Sequence, residues 1–224
     1  MDGEENRERF RYPHVYSDPD GLLALSADQV SAKAQYRRPR EILGTPATAG
    51  ADPTDPKPIV MIRKVDPLSV TQDLVSDCSF VCSLCIAAEY EKKFKKQLIT
   101  KIIYPQNSSG FPQYNAYGKY LVKLFLNGIH RKVVVDDLLP VDPNGNLLCS
   151  SGECGPAGME LWVSIIEKAY MKVNGGYDFP GSNSGIDLYA LTGWIPEHVY
   201  FQNPTTDNQP RTDFTLDHRQ SEDR

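Results

Sequence analysis

The sequence predicts an α+β fold, on three observations. Residues 78–95 contain no proline or glycine and are long enough for a helix. Two β-rich runs, 120–126 and 131–136, flank Asn127-Gly128, the dipeptide most favoured in two-residue hairpin turns. In MELWVSIIEKAYMKV, Leu161, Trp162, Ile165, Ile166, Ala169, Tyr170 and Val173 fall on one helical stripe, and Gly175-Gly176 supplies a stop.

Along the chain, residues 1–35 read as an N-terminal arm lying on the domain, with a disordered beginning. Proline-rich sequence continues to about residue 70, and its one strand-like run is Ile59-Val60-Met61-Ile62, before Asp66-Pro67. The run CSFVCSLCIAAEYEKKFK is apolar on nearly every face at first and amphipathic from Glu89, which predicts a helix that enters the core and emerges to solvent. After Trp194 the chain turns polar, and residues 200–224 are expected to be a disordered tail.

The chain has 224 residues, 40% of them hydrophobic and 24% charged, with a net charge of −5. It can bury a sizeable core in one domain. The overall charge offers no basic footprint for nucleic acid or an anionic membrane, and no apolar run approaches the roughly 18 residues that span a bilayer. The charged N-terminus is unlike a signal sequence. Five cysteines, three of them within eight residues, make a poor disulfide framework and favour a reducing, cytoplasmic setting.

Those three, Cys78, Cys82 and Cys85, are spaced C-x3-C-x2-C. This is the spacing by which radical enzymes hold a [4Fe–4S] cluster, so an iron–sulfur enzyme is one alternative. Against it stand the uninterrupted helical pattern and the lack of barrel repeats around it. Structural zinc needs four ligands, and His130, Cys149 and Cys154 have no zinc-module spacing. A third reading makes the cysteines small buried hydrophobes on one helical face, and it suits Cys82 and Cys85. Cys78 differs, because it stands at the predicted helix start after Ser76 and Asp77, both able to cap. There the macrodipole favours a thiolate nucleophile. Gln72, six residues upstream, carries an amide that can donate to an oxyanion together with the Cys78 N–H.

Gln72, Ser76-Asp77-Cys78 and the apolar helix after them resemble the calpain active-site segment, Q-G-x-x-G-D-C-W. YRRPREI at 36–42 resembles the family's W-x-R-P-x-E-I, ELWVSIIEKAYMKVNGGYDF at 160–179 resembles L-W-x-x-L-L-E-K-A-Y-A-K-x-x-G-x-Y-E, and DLYALTGW at 187–194 resembles D-L-T-G-G. Four elements in family order identify residues 36–199 as a member of the calpain cysteine proteases. Ser-Asp-Cys-Ser-Phe and YDFPGSNS are most similar to the atypical, PalB-type branch, whose animal member is the seventh calpain.

The resemblance implies the first, mainly helical lobe of a papain-like protease fold, carrying Cys78 as nucleophile and Gln72 as oxyanion donor. Ser79 takes the place of the family's tryptophan. The base and its orienting group, His and Asn, belong to a second lobe in motifs resembling G-H-A-Y and K-N-P-W, and neither motif occurs in this chain. His14, His130, His198 and His218 lack that context. The expectation is a first lobe without its second, from a truncated or incomplete form, inactive alone as an endopeptidase; a non-catalytic binding or regulatory lobe is the alternative. Of the two acidic residues with which conventional calpains bind calcium here, one is replaced by Ser69 and one is retained as Asp178, so neither calcium dependence nor any cofactor is expected. Implied partners are protein or peptide substrates and, by lineage, endosomal sorting proteins, with nuclear or endosomal association besides the cytoplasm. Asp136-Asp137 reads as a pair of solvated turn residues. Asn107-Ser108-Ser109 is a formal glycosylation acceptor without meaning in the cytosol.

Overall fold

The computed structural model describes residues 9–10, 13–44, 59–155 and 158–197. Among these lie helices α1 (Ala27–Ser31), α2 (Pro39–Ile42), α3 (Cys78–Phe94), α4 (Trp162–Val173) and α5 (Ser184–Thr192). The strands are β1 (Gln35–Arg37), β2 (Ile59–Val60), β3 (Ile103–Tyr104), β4 (Lys119–Leu126), β5 (Ile129–Asp136), β6 (Leu139–Val141), β7 (Cys154–Gly155) and β8 (Gly158–Glu160). They form three small sheets, ordered β3-β4-β5, β2-β8-β7 and β1-β6. Helices and small sheets are thus mixed, as an α+β reading requires.

The expected hairpin is β4 and β5, in register from Lys119↔Asp136 to Leu126↔Ile129. Asn127 and Gly128 take φ of 50° and 82°, the positive pair that a two-residue turn with the strands' own twist demands. Tyr120, Val122 and Leu124 on β4 are buried and meet Val133 and Val135 of β5 in the core.

Helix α4 runs through the middle of that core. It starts later than its sequence pattern predicts, because Met159 and Glu160 belong to β8, which pairs in parallel with β2 (Ile59↔Met159, Val60↔Glu160). The single apolar stripe is also a misreading: every residue from Trp162 to Met171 is buried, including Glu167 and Lys168. A helix covered on all sides carries polar groups inward only where they are paired, and Lys168 Nζ accordingly meets Asp136 Oδ1 at 2.5 Å and the Leu138 carbonyl at 2.6 Å.

The 17 residues of α3 match the expected helix, yet its exposed stripe begins at once. Phe80, Val81, Ser83, Leu84, Ala87, Ala88 and Glu91 face inward, whereas Cys78, Cys82, Ile86, Glu89 and Lys93 are exposed. The core reading of Cys82 and Cys85 is therefore corrected: Cys82 is exposed and Cys85 half-buried. The reason is competition for one face. Phe80, Leu84 and Ala88 bury more apolar area at i, i+4 spacing than the thiols do, so the thiol row turns outward.

Residues 13–37 pack onto this body. Gln29 of α1 is fully buried, with its amide donating to the Leu148 carbonyl at 2.7 Å, and the Tyr36 hydroxyl donates to the Leu23 carbonyl at 2.7 Å. Asp136 and Asp137 are not solvated turn residues but are 2% and 4% exposed. Asp136 accepts from the Asp18 N–H and Lys168, and Asp137 pairs with Arg38, whose second guanidinium nitrogen donates to the Tyr16 carbonyl at 2.7 Å. The two carboxylates stitch the N-terminal segment to the hairpin, a role that adjacent acidic residues do not advertise. The disordered beginning and the tail at 200–224 lie outside the described residues.

Gly176 closes α4 against the same segment. At φ 133° a β-carbon there would sit 2.9–3.0 Å from the backbone N and O of Ala24, which cannot swing aside. Gly176→Ala is expected to destabilise the protein by about 2 kcal/mol or more, from strain plus overpacking. Urea unfolding measures it, and a Gly175→Ala variant, with open space around its β-carbon, gives the strain contribution alone.

Candidate active site

Cys78 occupies the first position of α3, with an exposed thiol. The N–H groups of a helix's first turn have no partner inside the helix. Among the described residues no side chain caps them either: the Asp77 side chain makes no capping hydrogen bond, contrary to its sequence reading. Asp77 is instead fully buried and points its carboxyl into the core. The α3 N-terminus thus carries no Asp77 cap beside the exposed Cys78 thiol.

Gln72 is held beside this start. Its Nε2 donates to the Val75 carbonyl at 3.0 Å and to Asp77 Oδ1 at 3.2 Å. A side-chain amide has two N–H bonds, and both are engaged. The glutamine is tethered to the residue preceding Cys78, and one of its N–H bonds must leave its present acceptor before it can serve an oxyanion.

Beneath lies a feature that the sequence conceals. Asp77 and Glu167 of α4 are both fully buried and lie close enough for each carboxyl to act on the other. Two neighbouring carboxylates in a dry interior repel when both are ionised, which favours a proton on one of them. Burial pushes Asp77 up to about 6 and drives Glu167 well above the ordinary carboxyl range, with the neighbouring Asp77 charge raising it further. Both Glu167 oxygens accept from the Ser150 N–H, at 2.9 and 3.1 Å. Asp77 Oδ2 meets no N–H or hydroxyl donor among the described residues, so a proton carried by Glu167 is what satisfies it. Glu167 escaped notice because a glutamate off the chosen stripe of a helix is ordinarily solvent-exposed. The signal available was Val163, Ser164 and Met171 on that supposed outer side.

Ser79, where the family pattern has tryptophan, belongs to a second buried polar cluster. Its hydroxyl donates to Asp187 Oδ2 of α5 and lies 2.9 Å from the Ser182 hydroxyl. Ser182 contacts both Asp187 oxygens at 2.6 and 2.7 Å, and the Tyr170 hydroxyl donates to Oδ1 at 2.7 Å. Three hydroxyls thus saturate one carboxylate, and they fix the first turn of α3 to α4 and α5. At the next residue, the Phe80 ring stacks on Tyr170, with centroids 4.0 Å apart at 8°.

The remaining candidates are scattered. His14 is exposed in the N-terminal segment, and His130 lies on β5 with its ring edge-on to Phe125 at 4.9 Å. Burial and the charges of Lys123 and Lys101 hold His130 below the usual imidazole value. His198 and His218 lie outside the described residues. Cys149 is buried and Cys154 is exposed, and burial pushes both thiols up. Ser69 donates to the Asp66 carbonyl at 2.8 Å, and Asp178 is exposed. Among the described residues no three His, Cys, Asp or Glu side chains are arranged to hold a metal ion. The three helix cysteines share a row but not a common point.

Comparison with known proteins agrees with the sequence motifs. A profile of the calpain family cysteine proteases matches residues 13–221. The chain is 54% identical over 193 residues to Calpain-7 of Mus musculus and equally to that of Homo sapiens, covering 86% of this chain and 22% of each relative. It is 36% identical over 182 residues to the calpain-like protease palB of Emericella nidulans, covering 81% of this chain and 21% of that one. The chain thus spans about a fifth of the length of these relatives. The ordered motifs, the profile and the two sets of relatives agree, and the chain belongs to the calpain family of cysteine proteases.

Proposed function

We propose that this chain forms the cysteine-bearing lobe of a papain-like calpain active site, with Cys78 as nucleophile and Gln72 as oxyanion donor, acting on protein or peptide substrates. The observation that carries this is the junction at residue 78. An exposed thiol opens a long helix whose N-terminus bears no side-chain cap among the described residues, and Asp77, which anchors the glutamine, directly precedes it. In the reaction, the Cys78 thiolate attacks the peptide carbonyl carbon, and the carbonyl electron pair moves to oxygen beside the α3 N–H groups and the Gln72 amide. Collapse of that adduct expels the amine, which needs a proton, and water then hydrolyses the thioester. The proton must pass through a base, which a histidine in family context would supply; this chain has none. The chain alone is therefore proposed to bind and present the nucleophile without turning over.

A peptide carrying a mild electrophile tests the reading. Cys78 is expected to be alkylated at least about tenfold faster than Cys82, one helical turn along the same exposed row and away from the open N-terminus. The rate is expected to be the same with and without millimolar calcium, because Ser69 leaves that site one anionic oxygen short. Equal labelling of the two thiols, read by peptide mass mapping, overturns the assignment of the nucleophile.

The double engagement of the Gln72 amide favours a second reading, a lobe that binds or regulates without catalysis. Cleavage of a peptide by the purified chain, abolished in Cys78→Ala, would exclude it. Cytoplasmic, nuclear or endosomal residence and endosomal sorting partners belong to the proposal by lineage. Among the described residues no helix is long and apolar enough to cross a membrane.

A further inference from the structure

The net charge of −5 conceals a local surplus of the opposite sign. Helix α3 ends in Lys92-Lys93-Phe94-Lys95-Lys96, a sequence that the active site does not use. Lysines in the last helical turn offset the C-terminal macrodipole, which accounts for Lys92 and Lys93. It does not account for Lys95 and Lys96 beyond the helix. Nor does it explain a lysine at φ 56°, a left-handed cap position where glycine is the unstrained choice. Lys64 and Lys92 share Asp66, at 3.5 and 3.1 Å, and Lys92 also lies 3.9 Å from Glu89, while Lys93, Lys95 and Lys96 have no carboxylate partner in ion-pair range among the described residues.

Two flanks of this helix end have different chemistry. On one, Lys92 and Lys95 line an open cavity of about 310 Å³ together with Lys64, Gln97 and the half-exposed Phe111. Glu91 also borders it, but its carboxylate is saturated by the Leu98, Ile99 and Thr100 N–H groups and the Thr100 hydroxyl, at 2.6–3.0 Å. On the other flank Phe94 packs on Tyr90 at 4.6 Å, and Tyr90 packs edge-on to Trp194 at 4.9 Å. Phe94 is 51% exposed, Trp194 41% and Ile195 87%. Lysine ammonium groups bind phosphate as point charges, and aromatic and aliphatic side chains beside a basic cluster suit the headgroup boundary of an anionic bilayer. A soluble phosphate would use the cavity alone, and an acidic peptide the lysines alone. Only a broad surface meets both flanks.

We propose that the C-terminal end of α3 docks end-on onto an anionic membrane, with a phosphate-bearing lipid headgroup in the lysine-lined cavity and Phe94, Trp194 and Ile195 at the interface. The 17 residues of α3 span about 25 Å, so Cys78 at the opposite end stays clear of the lipid. The proposal stands apart from the active-site reading, and Cys78→Ala should bind membranes unchanged.

Sedimentation of the full chain tests this, with phosphatidylcholine vesicles alone or with added phosphatidylserine and phosphatidylinositol phosphate. Binding is expected only to the anionic vesicles and to weaken as salt is raised. Combined Lys93→Glu, Lys95→Glu and Lys96→Glu should lower the partition coefficient by more than about tenfold. Phe94→Ser with Trp194→Ser should lower it by about threefold or more at unchanged vesicle charge. The melting temperature of each variant is compared with the parent, and the corresponding Lys→Gln triple replaces any variant that unfolds. Absence of binding to the anionic vesicles, or binding indifferent to both sets of substitutions, overturns the proposal. So does equal affinity for soluble inositol trisphosphate or for poly-glutamate, which would make the patch a site for free phosphate or for an acidic peptide.

Discussion

Replacing Phe80 with alanine is expected to cost about 3–5 kcal/mol of folding stability, the range for a buried phenylalanine truncated to a methyl group. Phe80 is fully buried and stacks on Tyr170, which in turn meets Phe179 edge-on at 5.8 Å. The loss combines the transfer of the ring, the cavity left between α3 and α4, and an aromatic pair worth about 0.5–1.5 kcal/mol beyond its area. Because domains of this kind hold only about 5–15 kcal/mol in all, the variant should lie near its unfolding limit at 37 °C. The damage should also be directional. Tyr170 both receives the Phe80 ring and donates to Asp187, the carboxylate that anchors Ser79. Loosening it frees the first turn of α3, so selective alkylation of Cys78 should fall before the protein unfolds globally. Urea unfolding gives the stability, and labelling at low urea gives the local effect. Ile86→Ala, on the exposed side of the same helix, should cost under about 1 kcal/mol. Equal losses for the two variants would mean that the helix is not packed on the face described.

The elements that were legible in the sequence carry their own local signals. Asn127-Gly128 needs two positive φ values and has them, and an uninterrupted 17-residue helix follows a residue that starts it. Failures came where tertiary competition decides the outcome. Cys82 and Cys85 are as apolar as the alanines near them, but a helix buries the face that holds its largest side chains, and here that face holds Phe80 and Leu84. Met159 and Glu160 open the stretch that reads as helical, yet a parallel partner at Ile59-Val60, about 100 residues away, draws them into a strand. For the candidate site, the Cys78 and Gln72 positions were visible as motifs, whereas Asp77 turning inward to Glu167 was not. A carboxylate at a helix start is most simply a cap. Only the arrival of α4 beneath it, with a second buried acid, makes a shared proton the better arrangement.

That shared proton fixes how stability must vary with pH. Both carboxyls are held above their ordinary values in the folded protein, chiefly by burial. The native state therefore binds protons that the unfolded chain releases near pH 4. A group with a raised folded pKa contributes stability that is complete below its unfolded pKa and is lost as pH rises through the folded one. The pair should accordingly weaken the fold progressively from about pH 4 upward, with the Asp77 share lost by about pH 6, the value to which it is pushed, and the Glu167 share still falling above it. Glu167→Gln separates charge from contact. Its amide N–H can donate to the Asp77 Oδ2 that lacks any other donor, its carbonyl can still accept from the Ser150 N–H, and nothing remains on residue 167 to titrate. The expected result is a flatter stability profile between pH 5 and 8, with the variant gaining on the parent toward pH 8. Glu167→Ala removes contact and proton together, and should cost about 3–5 kcal/mol at every pH, because Asp77 is left buried without its partner. Urea unfolding across this pH range measures both. A Glu167→Gln profile parallel to the parent's would mean that the two carboxyls hold no proton between them. The Gln72 tether to Asp77 Oδ1 would then rest on a carboxylate ionised at all working pH values.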